Sequence, residues 1–530
     1  MTEPTRTTDD QTFLDAIEGY TGRLSYQRGD RVELHVSTTE SLFDICVERW
    51  GATRETVLEI SNCAGTYYPP PKNASATGCG WPVAHTFEID EAWTSGFYLV
   101  TLSVAGVPTD RATAHACFVV RNAATSQRRD QDGMLYVLPT NTWNAYNTWG
   151  GKSLYTGATQ VSFARPFARG MLCRPDVERD DRKSRPTRFG ETADADGTIF
   201  QEYRTTNGYP SAIGSTGWFT HGRRFVEWAE HEGHSFDYAI SSDLEDPTVL
   251  DGYAGVVLVG HDEYWSWGQR ENVERFVKDG GTLASFSGNT MFWQVRIEDS
   301  PMGRTMVCYK YRAHREDPIT DNADPTRMSG MWADPVVGLP EWTLLGAGSA
   351  FGLYHRFGQA TAQGVGGFVV YRHEHWLFDG TALGYGDVLG RDEGVVGYET
   401  VGCPIALDRL QLPVPSTDAI ERGVPVDTEI VAWVPASNLA VGEYPLSIAA
   451  LSDQGDLEFV AERVFRDDPD ASERARYGNA VMLTTRPFGD EGGEVITIGT
   501  TDWVFGLPTN AAVAQVTANV LRRAAASAVG

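Results

Sequence analysis

Apolar and polar residues alternate along several short stretches near the start of the chain. The clearest covers 31–37 (Arg-Val-Glu-Leu-His-Val-Ser), and similar patterns occupy 41–48, 86–90, 96–104 and 115–121. A period of two places successive side chains on opposite faces of a strand. The pattern therefore predicts an N-terminal β-sandwich of about 100 residues, the size of an immunoglobulin-like domain.

The pattern changes after a polar, unpatterned stretch at 122–132. Beyond it, strand patterns at 135–139, 236–240, 255–260 and 282–287 alternate with helical patterns at 225–232 and 267–278, and a last helix is predicted at 511–526. Strand alternating with helix predicts parallel pairing through right-handed crossovers. Later strands, predicted at 367–371, 375–378, 394–399 and 431–435, are expected to be mostly antiparallel additions. We therefore predict an α/β fold with a β-sandwich at 1–125 and an α/β domain with added antiparallel strands at 126–530.

The stretch that carries the most chemistry is 255–265, Gly-Val-Val-Leu-Val-Gly-His-Asp-Glu-Tyr-Trp. Its four consecutive apolar residues predict a strand buried on both faces. His261, Asp262 and Glu263 follow the strand, where open α/β sheets place their ligands. A turn that exposes its charges to water is the alternative, but three adjacent ionisable side chains favour a functional site.

Two further stretches are predicted to be loops. Residues 140–155 combine tryptophan, tyrosine, asparagine and hydroxyl side chains without a helical or strand period. Because loops on a rigid scaffold often carry function, we expect this one to line a pocket, with interdomain packing as the alternative. Residues 165–196 are charged and punctuated by glycine and proline, which also predicts a loop.

Composition and charge narrow the class of protein. The 530 residues are 41% hydrophobic, and no apolar run approaches the roughly 20 residues that cross a bilayer. The first ten residues lack the apolar core of a secretion signal, so we expect a cytoplasmic protein. A formal charge of -27 repels nucleic acid and anionic lipid, so we expect neither as a partner.

The seven cysteines are scattered along the chain and fit no zinc-binding spacing. An odd number in a cytoplasmic chain argues against a disulfide framework. Cys63 and Cys79 flank a loop rich in proline, glycine and alanine and could pair, although we favour free thiols.

Five motifs occur in a fixed order at 141–147 (Asn-Thr-Trp-Asn-Ala-Tyr-Asn), 260–265 (Gly-His-Asp-Glu-Tyr-Trp), 288–290 (Gly-Asn-Thr), 395–399 (Val-Val-Gly-Tyr-Glu) and 501–503 (Thr-Asp-Trp). Together they resemble the large (beta) subunit of N,N-dimethylformamidase and its relatives. The resemblance runs from about 132 to the C-terminus, and we take the sandwich to belong to the same family. It implies a class I glutamine-amidotransferase-like α/β fold without the nucleophilic cysteine. In this chain as well, the strand predicted after Gly255 ends in His-Asp-Glu and not in a cysteine.

The resemblance also implies one iron ion held by two tyrosines and a glutamate. Residue by residue, it implies Tyr146 and Glu263 as metal ligands and His261 and Glu399 as catalytic residues. The second tyrosine does not map, because 161–165 reads Val-Ser-Phe-Ala-Arg where we expect it. The remaining candidates are Tyr155, Tyr203 and Tyr209. Phenolate and carboxylate oxygens are hard donors, which suit ferric iron (Fe3+).

The function implied is hydrolysis of the C–N bond of a small amide by an iron-dependent enzyme. Glu399 would take a proton from water, whereas an ion pair with Arg391 is its alternative role. The alternative function is a non-catalytic protein that keeps the fold and binds carbohydrate or peptide. We expect a homo-oligomer, with a small partner subunit possible, and we expect the four site residues to converge in one pocket.

Overall fold

The computed structural model describes residues 15–107, 111–122, 133–174, 208–210, 213–321, 324–354, 366–440 and 455–526. The strands in these ranges are β1 (Ile17–Thr21), β2 (Ser25–Tyr26), β3 (Arg31–Thr38), β4 (Leu42–Trp50), β5 (Arg54–Ala64), β6 (Val83–Glu88), β7 (Gly96–Ser103), β8 (Thr113–Val120), β9 (Met134–Leu138), β10 (Gln160–Ser162), β11 (Asp237–Ile240), β12 (Gly255–His261), β13 (Tyr264–Ser266), β14 (Thr282–Gly288), β15 (Trp293–Ser300), β16 (Gly303–Val307), β17 (Phe368–Val370), β18 (Val388–Leu389), β19 (Ile405–Leu407), β20 (Pro413–Pro415), β21 (Glu429–Ser437), β22 (Tyr477–Thr485) and β23 (Val495–Ile498). The α-helices are Ala74–Thr77, Thr140–Tyr146, Arg223–His231, Trp267–Lys278, Ala313–Glu316, Trp342–Leu345, Thr417–Glu421, Asp456–Val464, Ala471–Arg476 and Ala511–Ala526, and Trp218–Gly222 is a π-helix.

Two sheets between β1 and β8 pack face to face around one apolar core. Their strand orders are β1-β3-β6 and β2-β8-β7-β4-β5. Val32 and Leu34 of the first sheet share a core cluster with Phe43, Tyr98 and Phe118 of the second. The apolar positions of β3 and β4 are buried between the sheets, as their alternating pattern predicts. The predicted β-sandwich is therefore present. The pattern did not predict β5, an edge strand whose residues are mostly exposed.

A nine-stranded mixed sheet forms the centre of the remaining chain, in the order β11-β9-β12-β14-β23-β22-β21-β17-β18. The strands from β11 to β23 pair in parallel, and those from β23 to β18 pair antiparallel. Both predictions of pairing are thus confirmed. Val256 and Leu258 share a core cluster with the helix Trp267–Lys278, whereas Val257 and Val259 share another with helices Arg223–His231 and Ala511–Ala526. Helices therefore cover both faces of β12, as its apolar sequence predicted.

Three predicted elements were wrong. Residues 140–146 form a helix rather than a loop, and all seven are buried, so the sequence shows no amphipathic period. Residues 376–378 form a 3-10 helix rather than a strand, started by His375, whose Nδ1 accepts from the backbone of Leu377 at 3.3 Å. Residues 394–398 are turns and bends rather than a strand, Glu399 lies outside any helix or strand, and Gly394 has a φ of 64°. The stretch predicted as a loop at 165–196 lies outside the described residues from 175 onward.

The sandwich and the α/β part share a polar and aromatic interface. Arg49 donates from Nη2 to Glu230 at 2.7 Å. Phe97 of the sandwich stacks on Trp218, with ring centroids 3.9 Å apart and an interplanar angle of 9°. Stacked aromatic pairs of this kind contribute beyond the area that they bury. The boundary near 125 itself stays a prediction.

Two further predictions concern the cysteines and membrane-spanning helices. All seven cysteines are free, so Cys63 and Cys79 do not pair. Of the helices in the described ranges, none is both long enough and apolar enough to cross a bilayer.

Glu18 generates a prediction about stability and pH. It is buried on β1, where burial and the neighbouring Asp15 raise its pKa from 4.5 to about 8, against a hydrogen bond with Trp149. Between these two pH values the folded state keeps the proton and the unfolded state loses it. The contribution of Glu18 to stability is thus present below pH 4.5 and falls as pH rises to 8. Glu18→Gln should remove this loss, which amounts to a few kcal/mol.

Denaturant unfolding of wild type and Glu18→Gln at pH 5 and pH 8 measures this difference. The exposed Glu88 provides the control, and Glu88→Gln should follow wild type at both pH values. A wild-type free energy of unfolding that changes with pH just as that of Glu18→Gln does would contradict the burial argument.

Candidate functional site

The four side chains predicted for the site converge, although they lie far apart in the sequence. His261 Nε2 lies 3.2 Å from Glu263 Oε2 and 2.5 Å from Glu399 Oε2. The Tyr146 ring centroid is 5.3 Å from that of His261. All four residues are at least nine-tenths buried. The structure therefore joins two carboxylates, an imidazole and a phenol in one buried cluster.

His261 is presented by the end of a central strand. It is the last residue of β12, and its Nδ1 contacts the backbone oxygen of Ser215 at 3.0 Å. Gly260 before it has a φ of 80°, and a Cβ added there would lie 2.6 Å from the Cβ of His221. Only glycine fits this left-handed, crowded position without strain. The strand end thus orients Nε2 of His261 toward the carboxylates.

Glu263 is held by the helix that the sequence did not predict. Thr142 Oγ1 in helix Thr140–Tyr146 accepts from the backbone of Glu263 at 2.9 Å and of Tyr264 at 3.3 Å. Asn141 donates to the backbone oxygen of Tyr264 at 3.3 Å. These bonds couple the backbone after β12 to the helix that carries Tyr146.

Of the two candidates for the second tyrosine that lie in the described residues, Tyr155 is the one that reaches Glu263. Its hydroxyl lies 2.8 Å from both carboxylate oxygens of Glu263 and accepts from the Tyr264 hydroxyl at 2.9 Å. Its ring centroid is 4.2 Å from that of Tyr146. Tyr203 lies outside the described residues, and Tyr209 packs instead near Gly170.

Glu399 is positioned by the segment that contains the motif 501–503. The backbone of Glu399 donates to Thr501 Oγ1 at 3.3 Å and accepts from the Thr501 backbone at 3.0 Å. Gly288 allows these segments to approach, because an added Cβ there would lie 2.2 Å from the Glu399 backbone oxygen. Asn289 donates to the Glu399 carboxylate at 3.2 Å. Glu399 therefore faces His261 and Asn289, which disfavours the ion pair with Arg391 as its role.

Lys310 completes the charges of the site. Its Nζ lies 3.4 Å from the centroid of the Tyr155 ring, and the residue is 4% exposed. Lys310 and Asn289 both have left-handed backbone, with φ values of 52° and 50°. Such conformations cost about 1–3 kcal/mol in non-glycine residues and cluster at functional sites. The strain is a second, independent sign that this region is functional.

Electrostatics keeps the imidazole charged. Burial disfavours the imidazolium, yet Glu399 and Glu263 outweigh it and raise the pKa of His261 to about 10. Burial likewise disfavours the Glu263 carboxylate, but His261, Lys310 and Tyr155 together hold its pKa below the ordinary value. His261 is therefore an acid that holds a proton between two carboxylates at neutral pH.

At the two phenols and at Asp262, burial instead favours the neutral, protonated form. Burial and the charge of Glu263 raise the pKa values of Tyr146 and Tyr155 well above 10. Burial also raises the pKa of Asp262 to about 7. In this state of the site the phenols keep their protons, and Tyr155 uses its proton to donate to Glu263.

Arg165 holds the segment between the two tyrosines. Its guanidinium donates to the backbone oxygens of Asn144, Asn147, Trp149 and Ser162 and to the side-chain oxygen of Asn144, at 2.5–3.1 Å. It is 2% exposed. A buried guanidinium with its donors satisfied in this way fixes the backbone around Tyr146.

The site offers oxygen donors rather than a conventional zinc arrangement. Among the described residues, no group of three or more histidine, cysteine, aspartate and glutamate side chains could hold a metal ion. The set implied by the resemblance contains two phenols, which such a grouping leaves out. Tyr146, Tyr155 and Glu263 lie together and supply hard donors, so these residues fit a ferric ion.

Sequence reasoning missed Lys310 and Asn289 and left Tyr155 among three candidates. Asn289 stands in a motif that was recognised, directly after β14, so the strand-end rule alone could have proposed it. Lys310 follows no pattern and reaches the site only through the tertiary fold. Tyr155 likewise has no local signal, because its partner Glu263 is 108 residues away.

Comparisons with known proteins give a consistent family. A family model described as N,N-dimethylformamidase beta subunit-like, C-terminal, matches residues 45–516, which includes most of the sandwich. Two curated relatives named N,N-dimethylformamidase beta subunit, from Alcaligenes sp and Paracoccus aminophilus, are each 31% identical over 74 residues. The match covers 14% of this chain and about a tenth of the length of each relative.

One solved structure, the ectodomain of a teleost fish polymeric Ig receptor, is 16% identical. It covers 23% of this chain and 56% of its own, with a TM-score of 0.12. At that TM-score the likeness supports no inference about the fold.

The contacts of Arg165 generate a prediction about stability. Arg165→Met removes a buried cation and leaves backbone oxygens without donors, so the free energy of unfolding should fall by about 3 kcal/mol or more. Arg169→Met is the matched control from the same loop. Arg169 is partly exposed, and its ion pair with Asp15 is long, at 3.8 Å. Its effect should stay below about 1 kcal/mol. Equal losses in a denaturant titration would refute the role given to Arg165.

Proposed function

Because the chain belongs to the N,N-dimethylformamidase beta subunit-like family, we propose that it is an iron-dependent hydrolase of the C–N bond of a small amide. The observation that carries the proposal is the junction of Tyr146, Tyr155 and Glu263 with His261 and Glu399 in one buried cluster. Three hard oxygen donors beside a charged acid and a carboxylate are the parts that amide hydrolysis by a metal needs. The same junction disfavours a binding protein that has lost its chemistry.

Tyr146, Tyr155 and Glu263 would hold the iron. A ferric ion supplies Lewis acidity, which polarises an amide carbonyl and acidifies water. Because the Tyr155 hydroxyl donates to Glu263, its proton must leave before both residues can bind a cation. Lys310 over the Tyr155 ring favours the carboxylate form of Glu263.

Glu399 and His261 would move the protons. Glu399 accepts the proton of the attacking water, and Asn289 fixes the orientation of its carboxylate. His261, which holds a proton on Nε2 beside Glu399, donates it to the leaving amine. The backbone oxygen of Ser215 holds the other ring nitrogen and so sets the plane of the imidazole.

Three further parts of the proposal concern the whole protein. We propose that 1–125 is an immunoglobulin-like domain and that 126–530 is a class I glutamine-amidotransferase-like α/β domain. The relatives are named as beta subunits, which supports a partner subunit. We further propose that this partner is small and that the chain itself forms a homo-oligomer. The substrate is a small neutral amide, and a cytoplasmic location stays a prediction.

Two substitutions separate holding the ion from using it. Glu263→Gln keeps the shape but removes a negative charge, so iron content and amide hydrolysis should both fall. Glu399→Gln should keep iron while kcat falls by about 10²–10⁴-fold, because a base is not a ligand. Elemental analysis and a scan for a tyrosinate-to-iron absorption band measure the iron content, and an assay of amine release measures the rate of hydrolysis.

Glu341 provides the matched control, since it is fully buried and accepts from the Ser349 backbone at 2.8 Å. Glu341→Gln should retain both iron and turnover. A wild-type protein without iron, or Glu263→Gln with full iron and unchanged turnover, would overturn the proposal.

A further inference from the structure

A cavity of about 470 Å³ lies between the sandwich and the α/β part. The sandwich contributes Trp50, Thr53 and Arg54, and the α/β part contributes Arg174 and Phe219. The volume falls within the roughly 300–1,000 Å³ of small-molecule sites, which often lie at domain interfaces. Because its lining differs from the residues around His261, the cavity is separate from the candidate site.

At this cavity, Arg54 has one guanidinium nitrogen, Nη1, that donates to a weak acceptor. Its Nε and Nη2 bond the carboxylate of Glu48, and its Cζ lies 4.8 Å from the Trp50 ring centroid. Its Nη1 donates to Cys173 Sγ at 3.8 Å, and no stronger acceptor is found for this nitrogen in the described part of the chain. A thiol sulfur is a weak acceptor. An anionic oxygen in the cavity would therefore improve the bonding of this guanidinium.

A second guanidinium, that of Arg174, also lines the cavity. Arg174 is 5% exposed, its Cζ lies 4.3 Å from the Phe219 ring centroid, and it donates to the backbone oxygen of Gly170 at 3.0 Å. The cavity also contains Glu227, but its carboxylate already accepts from Trp50 Nε1 at 2.9 Å and from Arg223. The lining thus presents two cations and one carboxylate that is already engaged.

The remaining walls are aromatic or uncharged. The rings of Trp50 and Phe219 meet at 76° with centroids 6.4 Å apart. His115 also lines the cavity, and burial together with the charge of Arg54 lowers its pKa to about 4, so it is neutral. A ligand here meets positive charge and flat apolar surfaces, although the chain as a whole carries -27.

We propose that this cavity binds a small organic carboxylate with a planar apolar body. The carboxylate accepts from Arg54 Nη1 and is attracted by Arg174, while the ring packs beside Trp50 and Phe219. Charge-assisted hydrogen bonds of this kind are about twice as strong as neutral ones. This binding site does not depend on the hydrolase proposal, since it uses none of the residues placed at His261.

Benzoate is the probe, with benzamide as its neutral analogue and inorganic phosphate as an anion without a ring. Calorimetric titration of the full-length protein should show benzoate binding, and benzamide and phosphate should each bind at least about tenfold more weakly. Arg54→Gln should weaken benzoate by about tenfold or more. Equal affinity for benzamide would exclude recognition of charge, and equal affinity for phosphate would exclude recognition of the ring.

Two further variants guard against a folding artefact. Thr53→Phe fills the mouth of the cavity from an exposed turn and should abolish benzoate binding while leaving both arginines in place. Arg23→Gln is the matched control, because Arg23 also pairs with a carboxylate and lies 4.6 Å over an aromatic ring, but outside the cavity. It should bind benzoate like wild type. No binding of benzoate to wild type, or unchanged binding in both Arg54→Gln and Thr53→Phe, would overturn the proposal.

Discussion

The site depends on one interaction, the sharing of the His261 imidazolium by Glu263 and Glu399. Two carboxylates buried this close would repel each other and could not both stay ionised without a cation between them. The imidazolium supplies that cation, and Lys310 adds a second positive charge. Counted formally, these four side chains carry no net charge. Without the proposed ion, the cluster therefore carries no net charge overall, although it holds strong local fields.

Holding these groups together requires backbone conformations that regular helices and strands do not provide. Gly260 takes a left-handed turn, and Gly288 lets the Glu399 segment approach β14. Asn289 and Lys310 take left-handed conformations despite their side chains. Strain of this kind persists only where the surrounding structure enforces it. At Gly260, Gly288 and Asn289 the enforcement comes from the buried parallel strands β12 and β14. Lys310 instead follows β16, which pairs antiparallel with β10 and β15.

The same reasoning explains how far the sequence predicts the structure. The apolar run of β12, the alternation of β3 and β4 and the helix Trp267–Lys278 are local patterns, so periodicity reveals them. His261 and Glu263 follow from the rule for strand ends. The helix Thr140–Tyr146 is buried on all sides and so carries no period, while Tyr155 and Lys310 reach the site by contacts that only the folded chain creates. Glu399 was found through the family resemblance, because its segment is not a strand.

Buried charge is compensated in three different ways, and the differences connect the sandwich to the site. At His261 the compensation is an opposite charge, at Arg165 it is backbone oxygen, and at Glu18 it is retention of a proton. Trp149 joins the last two. Its backbone oxygen accepts from Arg165, and its side chain bonds Glu18 and meets Trp81 of the sandwich edge to face at 5.7 Å. Since Trp149 lies between the two site tyrosines in the sequence, the sandwich braces the segment that carries them without contributing any of the side chains that converge on His261.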